Sequence, residues 1–176
     1  VFGTSATTTC NDAATSAYVE GTMRKNGSSA FTFPAGHNGQ RAKVGITPIN
    51  ASNDTYFTVK YNSVARENAE EIPESKRNSG LERVSSLESW DIFGTSDSKI
   101  KLYWENKGED YITNLTTLVV AHYNNTLNKW ETIKREGSGG DGSNGWILTG
   151  IVSSYSPFTF GSTVREDNPL PVTFAT

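Results

Sequence analysis

Alternation of apolar and polar side chains, repeated in short runs, limits what this chain can fold into more than any other feature. In "KIKLYWE", Ile100, Leu102 and Trp104 share one side while Lys99, Lys101, Tyr103 and Glu105 share the other. A strand separates such sets because successive side chains point to opposite faces, whereas a helical turn of 3.6 residues mixes them. The same period runs through "AYVEGTMRK", "AFTFPAG", "RAKVGITPI", "TYFTVKYN", "SWDIFG", "LTTLVVAHYN", "NKWETIK", "GWILTGIVSS" and "SPFTFGS", and helical periodicity is almost absent.

Turn-forming residues divide these runs. "GHNG", "NASND", "ENKGED", "NNTLN" and the long "REGSGGDGSNG" supply the Gly, Asn and Asp that tight connections use. About ten short strands so spaced predict an all-β fold, an antiparallel β-sandwich of immunoglobulin-like or jelly-roll-like type. The polar stretch from Asn68 to Arg83, interrupted by Pro73, predicts an irregular excursion with one helical turn. The expected organisation is an N-terminal arm over 1–16, a β-sandwich domain over 17–162, and a proline-containing linker over 163–176. The small, nearly uncharged arm and a chain start without Met suggest a piece excised from a longer protein.

Charge and composition narrow the function. A net charge of −3 argues against nucleic acid as partner, since phosphate contacts require clustered Lys and Arg. No apolar run is long enough to span a bilayer. One cysteine, Cys10, excludes an internal disulfide, and one cysteine with two histidines offers no zinc spacing. His37 falls in a turn and His122 at the end of a strongly apolar strand. Neither the carboxylate pair Glu70 and Glu71 nor Glu109 with Asp110 sits at an apolar-framed strand end, so the reading is non-enzymatic.

Two binding readings stay open. In "GSGGDGSNG", Asp141 and Asn144 are candidate calcium ligands, set against a flexible hairpin loop; calcium takes six to eight oxygens, and no other cofactor is expected. Aromatics from Tyr103, Tyr111, Tyr123 and Trp146 are candidates for a carbohydrate-binding platform, while Trp104 reads as core from its place in "KIKLYWE".

Several segments, in order, carry a resemblance. "SAYVEGTMRKNGSSAFTFPAGHNG" resembles the run "SYVNGPVRKxGxxxFTFPVGxxG" of large surface proteins of Bacteroidetes. "SSLESWDIFGTSDSKIKLYWE", "ITNLTTLVVAHYNNTLNKWE" and "IVSSYSPFTFGSTVREDNPLPVTF" resemble later segments of the same family, from about residue 15 to 176. The resemblance implies a C-terminal module of an exported protein, placed before a type IX secretion sorting domain whose "NPLPV" start matches Asn168 to Val172. It further implies an extracellular or cell-surface location. The partners it implies are neighbouring domains of one long chain and, through a sorting domain absent here, the secretion machinery. The expected function is a structural or adhesive spacer. A carbohydrate-binding module is the alternative, and a self-associating fibre subunit that exchanges terminal strands is a further one.

Overall fold

The computed structural model describes residues 1–8, 17–63, 72–108 and 110–170, and these are organised almost wholly as β-strands. Among the described residues, fourteen strands make up a seven-stranded and a five-stranded antiparallel sheet, packed in a sandwich-like arrangement, and a two-stranded hairpin. The larger sheet runs in the order β1 (Met23–Asn26), β6 (Tyr56–Asn62), β8 (Ser89–Gly94), β14 (Pro157–Ser162), β10 (Leu118–Asn124), β11 (Lys129–Ile133). The short β7 (Arg83–Val84) also pairs with β14. The smaller sheet runs β12 (Arg135–Gly140), β13 (Gly145–Thr149), β9 (Ser98–Trp104), β5 (Val44–Pro48), β2 (Phe31–Phe33), and β3 (Gly36–His37) pairs with β4 (Gln40–Arg41).

Each of the ten expected runs contains a strand, and the four additional strands have definite causes. β3, β4 and β7 are two residues long, too short for alternation to register. β12 is a correction: "REGSGG" was expected to belong to a flexible loop, yet it pairs along β13 from Arg135↔Thr149 to Gly140↔Gly145. Its glycines weaken a strand intrinsically but leave space for a neighbouring side chain, as shown below.

The core lies between the sheets. Phe160 of β14 is its hub, with the rings of Trp90, Trp104 and Tyr111 edge-on to it at centroid distances of 5.4, 5.8 and 6.1 Å. Edge-to-face geometry sets the positive ring edge against a negative ring face. The two indoles also satisfy their N–H groups: Trp90 Nε1 donates to the Ala42 carbonyl at 2.9 Å and Trp104 Nε1 to the Asp141 carbonyl at 2.8 Å. Within the same core, Glu88 accepts from the Tyr61 hydroxyl at 3.0 Å and from the Tyr111 hydroxyl, with Lys107 Nζ at 3.3 Å. Burial first and the Glu88 charge second push both phenols well above their usual range.

Of the excursion expected from Asn68 to Arg83, the part up to residue 71 lies outside the described residues; the described part, from Ile72, carries one 3₁₀ turn, Glu74–Lys76. From Ile72 onward it packs on the outer face of the larger sheet. There Ile72, Leu81 and Val84 form a second apolar cluster with Val119, Ala121, Tyr123 and Trp130.

Both end segments of the described chain contact the sandwich. Residues 1–8 do not stand apart: Phe2 bridges Lys25 in parallel, its ring lies 4.8 Å from Phe31, and buried Lys25 donates from Nζ to the Thr4 carbonyl at 3.0 Å. Of the expected linker over 163–176, residues 163–170 are described and pack against the sandwich, and 171–176 lie outside the described residues. Asn168 is fully buried at φ 48°, and Leu170 enters the main core. The Asn168 Oδ1 accepts from the backbone N–H groups of Thr113 (2.9 Å) and Asn114 (2.8 Å). Its Nδ2 donates to the Asn114 carbonyl and to Thr117 Oγ1. Arg83 adds a hydrogen bond to the Pro169 carbonyl at 2.8 Å. Asparagine tolerates the left-handed region and carries both a donor and an acceptor, so one residue closes the segment onto the fold. Cys10, Pro171 and Val172 lie outside the described residues.

Candidate functional site

Alternation decides what the smaller sheet shows to solvent. β9 buries Ser98, Ile100, Leu102 and Trp104 and leaves Lys99, Lys101 and Tyr103 partly exposed on the other face. Antiparallel register then places Tyr103 directly opposite Trp146 of β13, and Lys101 opposite Leu148. On the other side Lys101 pairs with Gly45 of β5. Cross-strand partners sit close enough for their side chains to act together.

The glycines of β12 explain the position of Trp146. A Cβ on Gly139 would come within 3.2 Å of the indole and one on Gly137 within 3.5 Å. The ring therefore lies against a stretch of strand without side chains. Lys101 Nζ stands over the same indole, 4.0 Å from its centroid, and 5.3 Å from the Tyr103 ring; Lys43 Nζ is 5.0 Å from that ring. An ammonium over an aromatic face is held by the ring quadrupole. Burial, then the charge of Lys43, lowers the Lys101 ammonium's pKa from its ordinary value.

Two shallow depressions meet at Tyr103. One, of about 320 Å³, is lined by Arg41, Lys43, Glu105, Asn144 and Trp146; the other, of about 480 Å³, by Thr8, Thr32, Thr47, Lys101 and Leu148. Glu105 is held by Arg41 Nη2 at 2.6 Å and Lys43 Nζ at 2.9 Å. At the far end of β9, Lys99 pairs with Glu136 at 2.5 Å. This is a half-exposed surface with two aromatic rings and several ammonium and hydroxyl groups.

Of the four expected platform aromatics, the structure brings together Tyr103 and Trp146 and removes the other two. Tyr111 is 4% exposed, against Phe160 and Glu88 in the core. Tyr123 is 2% exposed because the excursion covers its face of β10; it packs edge-on to Trp130 and donates to Asn128 Oδ1. Trp90, Trp104 and Trp130 are likewise buried, so Trp146 alone of the four tryptophans reaches solvent. Lys101 and Lys43 were not singled out from sequence, although the alternation in "KIKLYWE" already set Lys101 beside Tyr103.

The expected calcium ligands are occupied otherwise. Asp141 Oδ1 accepts from the backbone N–H groups of Ser143 and Asn144, both at 2.8 Å, and Asn144 Oδ1 accepts from the Asn106 N–H at 3.0 Å. The two side chains close the β12–β13 hairpin and tie it to the end of β9. Among the described residues no group of three or more His, Cys, Asp or Glu converges to hold a metal ion. His37 is half exposed, 3.6 Å from Glu20, beside a depression of about 750 Å³ that Lys60 and Asp91 also line. His122 is buried against Phe158 at a ring distance of 4.6 Å, its Nε2 without a hydrogen-bond partner. Glu70, Glu71 and Glu109 lie outside the described residues, and Asp110 is exposed. No helix among the described residues is long and apolar enough to cross a membrane. Compared with protein-family models, curated proteins and solved structures, the chain gives no match.

Proposed function

We propose that this chain is a non-catalytic β-sandwich module of an exported, cell-surface or extracellular protein, joining neighbouring domains at fixed geometry. The observation that carries the reading is the fastening of both end segments to one sandwich. Phe2 is hydrogen-bonded to β1 on both sides, through its N–H to Arg24 and its carbonyl from Asn26. Asn168 anchors the opposite segment through buried hydrogen bonds, and Leu170 is seated in the core. Tension between neighbours would have to break these contacts before it reached the sheets. The resemblance of "NPLPV" and the preceding segments to exported surface modules supports the same reading, with a sorting domain and its secretion machinery as partners. A fibre subunit that exchanges its N-terminal strand would first have to release Phe2 from its own β1. Tandem copies pulled in a single-molecule instrument test the proposal. Cooperative unfolding at a defined force, lowered in Asn168→Ala, is expected; gradual extension at negligible force would overturn it.

A second reading, that the module also holds a glycan, is favoured by the pairing of Tyr103 with Trp146 on the outer face of the smaller sheet. Sugar rings present carbon faces that pack on exposed aromatics, with hydroxyls left for neighbouring polar groups. Quenching or a shift of Trp146 emission on glycan addition tests it, because the remaining tryptophans are buried.

A further inference from the structure

We propose that the outer face of the smaller sheet selects an anionic glycan, whose sugar rings carry carboxylate or sulfate, with Tyr103 and Trp146 taking the rings and Lys101 the charge. The proposal rests on the glycan-binding reading above and adds the chemical class of the ligand.

The chain as a whole carries −3. Among the described residues the two depressions are lined by Arg41, Lys43 and Lys101 against Glu105, and Lys99, two residues from Lys101 on the same strand, is matched by Glu136. The two carboxylates are already engaged, Glu105 by Arg41 and Lys43 and Glu136 by Lys99. Lys101 has no ion pair among the described residues; its ammonium rests on the faces of Trp146 and Tyr103 instead. It is the cation whose charge is available to a ligand, and it lines the second depression beside Tyr103, the residue the two depressions share.

Next comes the cost of leaving that charge unmet. Partial burial and the proximity of Lys43 disfavour the Lys101 ammonium, which shows in its lowered pKa. A neutral sugar would strip more water from the ammonium without compensating it. An anion offers a charge-assisted hydrogen bond, stronger than its neutral counterpart, and relieves the repulsion from Lys43. By drawing the ammonium toward itself, the anion would also free indole surface for the sugar's carbon face. The hydroxyls of Thr8, Thr32 and Thr47 along the second depression suit uncharged sugar hydroxyls. The bed of Gly137 and Gly139 holds Trp146 in place in advance, so little ordering remains to be done on binding.

The test is a titration of the whole chain, followed by Trp146 emission and by calorimetry. The probes are oligogalacturonates, sulfated galactan oligomers, cello-oligosaccharides, polyglutamate and a single-stranded oligonucleotide. Binding of a carboxylated or sulfated glycan is expected, weakening as salt rises because exposed charges are screened over about 10 Å at 0.1 M. The tighter of the two anionic arms identifies the group. Lys101→Gln should weaken that binding roughly tenfold while Lys101→Arg retains most of it, with folding of each checked by thermal melting. Equal binding of neutral and anionic glycans, unaffected by Lys101→Gln, would overturn the charge preference and leave the glycan reading standing. Silence from every glycan in both readouts would remove the glycan reading itself. Polyglutamate or the oligonucleotide binding as tightly as the glycans would overturn the proposal in favour of a general polyanion surface.

Discussion

The outer faces of the two sheets are built from the same alternating strands and end up in opposite states. On the larger sheet, Val119, Ala121, Tyr123 and Trp130 face outward and would be exposed, but Ile72, Leu81 and Val84 cover them. On the smaller sheet no comparable segment of the described residues lies over Tyr103 and Trp146. Both faces carry a Tyr opposite a Trp across neighbouring strands, Tyr123↔Trp130 on one and Tyr103↔Trp146 on the other. What separates them is the company the rings keep. The covered pair sits among aliphatic side chains, whereas the open pair sits among lysines and glycines. An aromatic pair is therefore not a binding site by composition; its neighbours decide whether it is core.

Truncating one tryptophan on each face tests that contrast most severely. Trp130→Ala should destabilise the domain by about 3–5 kcal/mol, the range for emptying a buried aromatic site. Trp146→Ala should change stability by less than about 1 kcal/mol, as a partly exposed side chain away from caps and networks. Urea unfolding of the two variants measures both. Similar losses in the two would mean that Trp146 is part of the core and would sink the comparison.

Asn168 fastens the end of the described chain. Asn168→Ala removes the acceptor for the Thr113 and Asn114 N–H groups. Leaving buried donors unpaired costs about 1–3 kcal/mol, and alanine adds strain at the positive φ. Thermal melting should show the loss. An unchanged melting temperature would mean that residues 163–170 contribute nothing to the fold.

A smaller effect distinguishes the inner rim of the larger sheet by its pH dependence. Burial lowers the pKa of His122, outweighing the upward pull of Glu131. The folded chain thus resists protonation of a group that the unfolded chain protonates near pH 6.5. The unfolded state binds more protons below that value, so His122 reduces stability as pH falls from about 6.5 toward its lower folded-state pKa. The slope for one proton is at most about 1.4 kcal/mol per pH unit, and it should disappear in His122→Phe when stability is measured across that window.

Much of this architecture is legible in the sequence, and the reasons it stops being legible are specific. "KIKLYWE" alternates and becomes a strand exposed on one face; "LVVA" is continuous apolar and opens a strand buried on both faces. That difference could have excluded Tyr123 from the platform, since a run apolar at every position signals cover on both sides. Tyr111 gave no such signal: it lies outside any strand and is buried by Phe160 and Glu88, which are distant in sequence. β12 was hidden because glycines carry no alternation to detect. The "NPL" segment looked like a tether because proline discourages pairing, while the buried partners of Asn168 lie more than fifty residues earlier.

The finest test concerns the glycines under the open tryptophan. Gly139 has no positive φ, so its backbone admits alanine, yet the added Cβ would meet Trp146 at 3.2 Å. The ring need move only a few tenths of an ångström, and solvent lies on its outer side. Gly139→Ala should therefore change stability by no more than about 0.5–1 kcal/mol, with side-chain crowding offset by the lower backbone entropy of the unfolded chain. The Trp146 emission maximum should nevertheless shift, because the indole must leave its bed and alter its contact with the Lys101 ammonium. The equivalent substitution at Gly161 in the larger sheet places a Cβ 2.8 Å from Leu81, under the covering segment, where no outward movement is open. Alanine there should cost more than at Gly139. If instead Gly139→Ala were the more damaging of the two, the smaller sheet's outer face would be as closely packed as the covered one, and the contrast between the faces would fail.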